Sequence, residues 1–148
     1  SPVNGEDRVP RAPLSSSFVK KENEILLVED NEVNIMISKR YLKKLGYEPD
    51  IAKSGMDAIR AWNQKHYDLI LMDCQMPGMS GYSVTAEIRR LESENPALPR
   101  TPIIAVTANA IEGDRERCLA VGMNDYISKP LEISELTSVI SAHLNPMV

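Results

Sequence analysis

Asp68-Leu69-Ile70-Leu71-Met72-Asp73 is a short apolar run with an acid at either end. Consecutive large apolar side chains fit a strand buried on both faces, since a solvated face would show alternating polar residues. The acid that closes the run leads into Met76-Pro77-Gly78-Met79-Ser80-Gly81, where Pro and Gly punctuate a loop. Two further runs have the same character: Ile25-Leu26-Leu27-Val28, closed by Glu29-Asp30, and Pro102-Ile103-Ile104-Ala105-Val106-Thr107. Near Pro49–Ala52 the signal for a strand is weaker, and Asn124-Asp125-Tyr126-Ile127-Ser128 is a short one leading into Lys129-Pro130.

Helical patterns fill the gaps. Val33, Ile37, Tyr41 and Leu45 step four apart along Glu32 to Lys44, and Gly46 stops that helix. Ser54 with Asp57 resembles a capping box that opens a helix carrying Ile59 and Trp62. Tyr82 to about Leu91 is helical, and Asn95-Pro96 and Leu98-Pro99 break the chain after it. A polar helix is expected from about Ala110 to Val121, ended by Gly122, and a last one places Ile133, Leu136, Ile140 and Leu144 on one face. Strands alternating with helices give an α/β fold with a parallel sheet, because parallel strands need crossover helices. Right-handed crossovers place helices on both faces.

The chain has 148 residues and a formal net charge of -4, enough for one domain with a real core. The mildly acidic balance without a basic cluster lacks the electrostatic footprint of a nucleic-acid binder. No apolar run reaches the length of a membrane span, so no direct membrane contact is expected. Cys74 and Cys118 have no CxxC spacing and read as reduced, half-buried residues of a cytoplasmic protein. Residues 1–21, with Pro2, Pro10, Pro13 and Ser15-Ser16-Ser17, read as a flexible linker or arm, leaving 22–148 as the domain. Starting at Ser1, the chain reads as an excised piece whose arm joins an upstream domain, with no output domain expected after the last helix.

The carboxyl ends of the strands carry Glu29-Asp30, Asp73 and Thr107, and Lys129 follows the last strand. Ligands of open parallel sheets bind at that edge. Two unit charges about 4 Å apart repel by roughly 4 kcal/mol at an effective dielectric near 20, so three close carboxylates sum to on the order of 10 kcal/mol. Lys129 offsets part of this. A hard divalent cation offsets the rest, and oxygen ligands suit Mg²⁺, with a backbone carbonyl of Gln75 placed to add one. A carboxylate is a competent nucleophile toward phosphorus. Lysine and metal stabilise a transferring phosphoryl group, and a hydroxyl such as that of Thr107 can donate to its oxygens.

At these residues the chain resembles the receiver domains of two-component response regulators. The landmarks are Leu27-Val28-Glu29-Asp30-Asn31, Leu71-Met72-Asp73, the loop from Met76 to Gly81, Val106-Thr107-Ala108 and Lys129-Pro130. Each is weak alone; five in order, from about Glu24 to Leu144, are specific. The resemblance implies a doubly wound, flavodoxin-like receiver fold with strand order 2-1-3-4-5. It implies that Asp73 takes a phosphoryl group from a phosphohistidine domain, and that Glu29, Asp30, Asp73 and the Gln75 carbonyl hold Mg²⁺. Thr107 and Lys129 would contact the phosphoryl group, and Tyr126 matches an aromatic switch that moves with Thr107. The Lys129-Pro130 bond is often cis in the family. Asp30, Asn31 and Asn34, with Met72-Asp73-Cys74-Gln75-Met76-Pro77 and Thr107-Ala108-Asn109-Ala110, look like receivers of hybrid sensor histidine kinases. Those pass phosphate to a histidine phosphotransfer domain and have no kinase activity of their own. Ser80 departs from the Asp common at its position, which is expected to alter loop capping rather than chemistry.

Plainer readings stand beside these. Asp73 could cap a turn, Glu29-Asp30 could complement a helix N-terminus, and Lys129 could be a solvated surface lysine. Thr107 could be an ordinary strand residue and Tyr126 a partly packed tyrosine. Cys74 reads as core packing rather than redox chemistry, and His66 and His143 as solitary surface residues. The polar stretch Glu112–Arg117 reads as a solvated face, with a partner surface as the alternative. Among rival functions, a phosphatase of the haloacid-dehalogenase type wants a second Asp two residues after the first, where Gln75 stands. A flavodoxin-like cofactor binder needs a phosphate loop where Glu29-Asp30-Asn31-Glu32 would repel it. A degenerate receiver, serving only as an interaction module, would not be expected to keep all the chemical positions. A stand-alone regulator fits the arm less well than a kinase-attached domain.

Overall fold

The computed structural model describes residues 23–108 and 112–144, so the expected arm at 1–21 and the start of the polar helix at Ala110 lie outside the described residues. In chain order the elements are β1 Ile25–Val28, α1 Glu32–Lys44, β2 Asp50–Ala52, α2 Gly55–Gln64, β3 Leu69–Asp73, α3 Gly81–Ser93, β4 Ile103–Thr107, α4 Glu112–Val121, β5 Asp125–Ser128 and α5 Ile133–His143. The strands form one parallel sheet of order β2-β1-β3-β4-β5. Fold class and strand order agree with the expectation from sequence. Among the described residues no helix is long and apolar enough to cross a membrane.

The continuous apolar runs are explained by two cores. Leu26, Val28, Ile70, Met72, Ile103 and Ala105 face α2, α3 and α4, where Ala58, Val84, Ile88 and Cys118 meet them. Ile25, Leu27, Leu69, Leu71, Ile104 and Val106 face α1 and α5, against Leu42, Leu136, Val139 and Ile140. Period-2 alternation thus sends successive residues of one run into different cores.

In α1 the structure corrects the expected stripe. Ile35, Ser38 and Leu42 are buried, whereas Val33 and Ile37 are exposed. A four-residue step advances about 40° beyond a full helical turn. The series 33, 37, 41, 45 therefore spirals from solvent to core, and only Tyr41 and Leu45 pack inward. Helix starts follow the sequence more closely. Asn31 Oδ1 accepts from the Val33 and Asn34 amides, Ser54 Oγ from that of Asp57, and Ser80 Oγ from that of Ser83. Gly46, at φ +94°, ends α1 as expected.

Both cysteines are buried rather than half-buried. The histidines are not solitary either. His143 Nε2 lies 3.1 Å from Asp125 Oδ2, and His66 Nε2 lies 3.6 Å from Asp68 Oδ1. At the sheet edge away from the strands' carboxyl ends, Lys65 Nζ reaches Glu24 Oε1 at 3.0 Å and Asp50 Oδ2 at 2.9 Å. The Tyr67 hydroxyl donates to the same Asp50 oxygen at 2.7 Å.

Candidate functional site

Register brings the acids together. Val28 pairs with Met72, so the residues that follow, Glu29 and Asp73, leave adjacent strands at the same level. Asp73 is level with Val106, and Thr107 with Ser128, which sets Lys129 beside them. Carboxylate oxygens of Glu29, Asp30 and Asp73 lie within 4.8 Å of one another. Glu29 and Asp73 are buried and Asp30 is half-buried.

Lys129 Nζ reaches into this cluster, 3.2 Å from Asp73 Oδ1 and 3.8 Å from Glu29 Oε1. The Gln75 amide also donates to Asp73 Oδ1, at 3.1 Å. Glu29 Oε2 accepts from the Asn31 amide at 3.2 Å and from Asn34 Nδ2 at 3.4 Å. Burial pushes the Glu29 carboxyl above its ordinary range; the Asn31 amide pulls it down, Asp73 pushes it up again, and Lys129 lowers it. A lysine between two buried carboxylates leaves one negative charge uncompensated before Asp30 is counted. That donor set, hard oxygens around a charge deficit, fits a small divalent cation such as Mg²⁺.

Thr107 is buried at the end of β4, and its carbonyl accepts from the Lys129 amide at 2.8 Å. Tyr126 is half-buried on β5 with the Arg115 guanidinium 5.9 Å from its ring centroid. The Lys129-Pro130 bond is cis. Of the expected residues, Glu29, Asp30, Asp73 and Lys129 converge, Gln75 touches Asp73 through its backbone, and Thr107 and Tyr126 lie on the neighbouring strands.

Two supporting residues went unassigned at the level of sequence. Asn34 holds Glu29, and its place three residues after the capping Asn31 was the available signal. Gly81 presses α3 against β3: a Cβ there would overlap the Asp73 backbone carbonyl and lie 3.0 Å from Cys74 Cα. Glycine at the first helical position carried no such signal, because the close approach exists only once the loop after β3 has folded α3 back onto that strand.

A family model described as response regulator receiver domain matches residues 25–141. The chain belongs to that family. This receiver is 45% identical, over 85% of its length, to hybrid signal transduction histidine kinase B of Dictyostelium discoideum. It spans only 7% of that relative's length. Probable histidine kinase 1 of Oryza sativa subsp. indica is 39% identical over 82% of this chain, which again spans a small part of the relative, 15%. Among solved structures, the receiver is similar to that of a sensor histidine kinase from Pseudomonas aeruginosa, which has a magnesium ion coordinated in its active-site cleft. The identity is 45%, the TM-score 0.75, and the coverage 85% of this chain and 100% of that one. It is also similar to the receiver domain of a Saccharomyces cerevisiae response regulator, solved in complex with a histidine phosphotransfer protein. There the identity is 31%, the TM-score 0.78, and the coverage 82% of this chain and 88% of that one.

Proposed function

We propose that this receiver accepts a phosphoryl group on the Asp73 carboxylate from a phosphohistidine and hands it to a histidine phosphotransfer partner. The observation that carries this is Lys129 Nζ at 3.2 Å from Asp73 Oδ1 within a cluster of three carboxylates. In the transfer an Asp73 oxygen forms the new bond to phosphorus as the bond from phosphorus to the imidazole nitrogen breaks, and the imidazole keeps that electron pair. Lys129 supplies positive charge where the phosphoryl oxygens gather. Thr107 offers a hydroxyl to one of those oxygens. Glu29, Asp30, Asp73 and the Gln75 carbonyl would hold Mg²⁺, which when bound supplies further positive charge to the phosphoryl group. Asn34 and the Asn31 amide keep Glu29 turned toward the cluster. Tyr126, on the same sheet face as Thr107, reads the phosphorylated state.

The partner is proposed to dock across α1. Val33 and Met36 are 57% and 56% exposed, and Ile37 borders them. Three large apolar side chains on one helix beside the site suit a partner that must bring its histidine to Asp73. The similarity to hybrid histidine kinases supports a parent chain of that kind, with this receiver in the cytoplasm and without kinase activity of its own. Acetyl phosphate with Mg²⁺ should add one phosphoryl group by intact mass, and Asp73→Asn should abolish the addition. Uptake by that variant would refute the assignment.

A further inference from the structure

Asp73 and Cys74 are consecutive at the end of an extended strand, so their side chains leave on opposite faces. Asp73 has the parity of Leu69 and Leu71. Cys74 lies in the other core, with Cys118 of α4. Tyr82 packs against the core cluster that holds both Cys74 and Cys118. The Gly81 amide donates to the Cys74 carbonyl at 3.3 Å, so the start of α3 is fixed to the acceptor strand by backbone as well. Over Tyr82 sits Arg117 of α4, its guanidinium carbon 4.0 Å from the ring centroid. Arg117 and Cys118 are neighbours on α4, one stacked on Tyr82 and the other buried against Cys74.

The far end of α4 is held differently. Arg89 donates to the Gly122 carbonyl at 2.9 Å and to Asn124 Oδ1 at 2.9 Å, and it pairs with Glu92 at 2.7 Å. Asn124 Oδ1 also accepts from the Ile103 amide at 2.9 Å, tying this end to β4. Arg117 itself is exposed, so the contact that joins α4 to Tyr82 lies at the surface, beside the buried Cys118.

We propose that Tyr82 is a positioning residue that couples Asp73 to α4 through Cys74 and Arg117, a route separate from Thr107 and Tyr126. It rests on the phosphoacceptor reading above. A shift at the β3–α3 corner when Asp73 gains a phosphoryl group moves Cys74 and the start of α3 together, and Tyr82 carries the shift to α4. Thr107 and Tyr126 approach α4 from β4 and β5 instead, where Arg115 stands over Tyr126.

The test is amide NMR of the full chain with Mg²⁺ and beryllofluoride, a phosphoryl mimic, in the wild type, Tyr126→Ala, Tyr82→Leu and the double variant. Arg117→Gln in the Tyr126→Ala background adds an exposed substitution that leaves the core intact. The α4 amides from Glu116 to Val121 should shift in the wild type and keep a reduced shift in Tyr126→Ala. They should lose it when Tyr82→Leu or Arg117→Gln is added, while Cys74 and Gln75 still respond in full. An α4 response already lost in Tyr126→Ala, or one that Arg117→Gln leaves unchanged in that background, overturns the route. Absence of any shift at Gln75 in the wild type overturns the phosphoacceptor reading itself, and the route with it.

Discussion

At the residue scale, Glu29 occupies a position that stability alone does not favour. Its carboxyl is raised by burial and by Asp73 against the pull of the Asn31 amide and Lys129. An acid whose folded value lies above its unfolded value opposes folding once it ionises, so at neutral pH its charge costs stability. Glu29→Gln should therefore raise the melting temperature in EDTA and remove the further rise that Mg²⁺ gives the wild type. Thermal melts with and without Mg²⁺ check both halves; a lower melting temperature in EDTA would contradict the electrostatic account. Gly81 is governed by space. Gly81→Ala forces α3 away from the Asp73 carbonyl, with a loss of about 1–3 kcal/mol expected for overpacking. Urea denaturation measures the loss, and slower uptake of phosphate from acetyl phosphate should accompany it.

At the scale of elements, α1 has two separable tasks. Its N-terminus begins on Asn31, which satisfies two amides of the first turn. Asn31→Ala should cost about 1 kcal/mol, the usual worth of such a cap, seen as a lower urea midpoint with an unchanged slope. Its outer face carries the apolar patch. Met36→Glu lies away from the carboxylates, so labelling by acetyl phosphate should be unaffected. Transfer from a phosphohistidine partner should slow about tenfold, the effect of one lost contact of about 1.4 kcal/mol. Equal slowing of both reactions would place Met36 in the chemistry instead of the docking.

For the whole molecule, one contribution to the acid limb of stability lies at the sheet edge opposite the site. Hydrogen bonds from Lys65 and then Tyr67 hold the Asp50 carboxyl below its ordinary value of 3.8. A depressed acid contributes stability that is present above its unfolded value and lost as pH falls through the folded one. Asp50 is half-exposed, so solvent screening keeps the contribution small. Asp50→Asn should lower stability at neutral pH and flatten its decline below about pH 4. Denaturation midpoints across that range measure it, and an unchanged acid limb would assign the decline to other carboxylates.

The chain's local chemistry was legible without coordinates. Apolar runs of four or five residues fit strands covered on both sides, and their alternation with helical periods points to a parallel sheet. Asp73, Glu29, Asp30 and Thr107 were candidates because each sits where such a run stops, and Lys129 because it follows the last strand. Strand order came from the family's landmarks, since periodicity alone leaves the order of equally apolar strands undetermined. Tertiary structure decided what depends on two segments meeting. It decided which side of α1 is buried, because a four-residue step drifts around a 3.6-residue helix and only packing fixes the phase. It paired Lys129 with Asp73 across 56 positions of chain, put Asn34 on Glu29, and closed Gly81 onto the acceptor strand. It also brought two cysteines that looked unrelated in sequence into one core, because the parity of a strand fixes a side chain's face while the partner across that face is known only once the helices have packed.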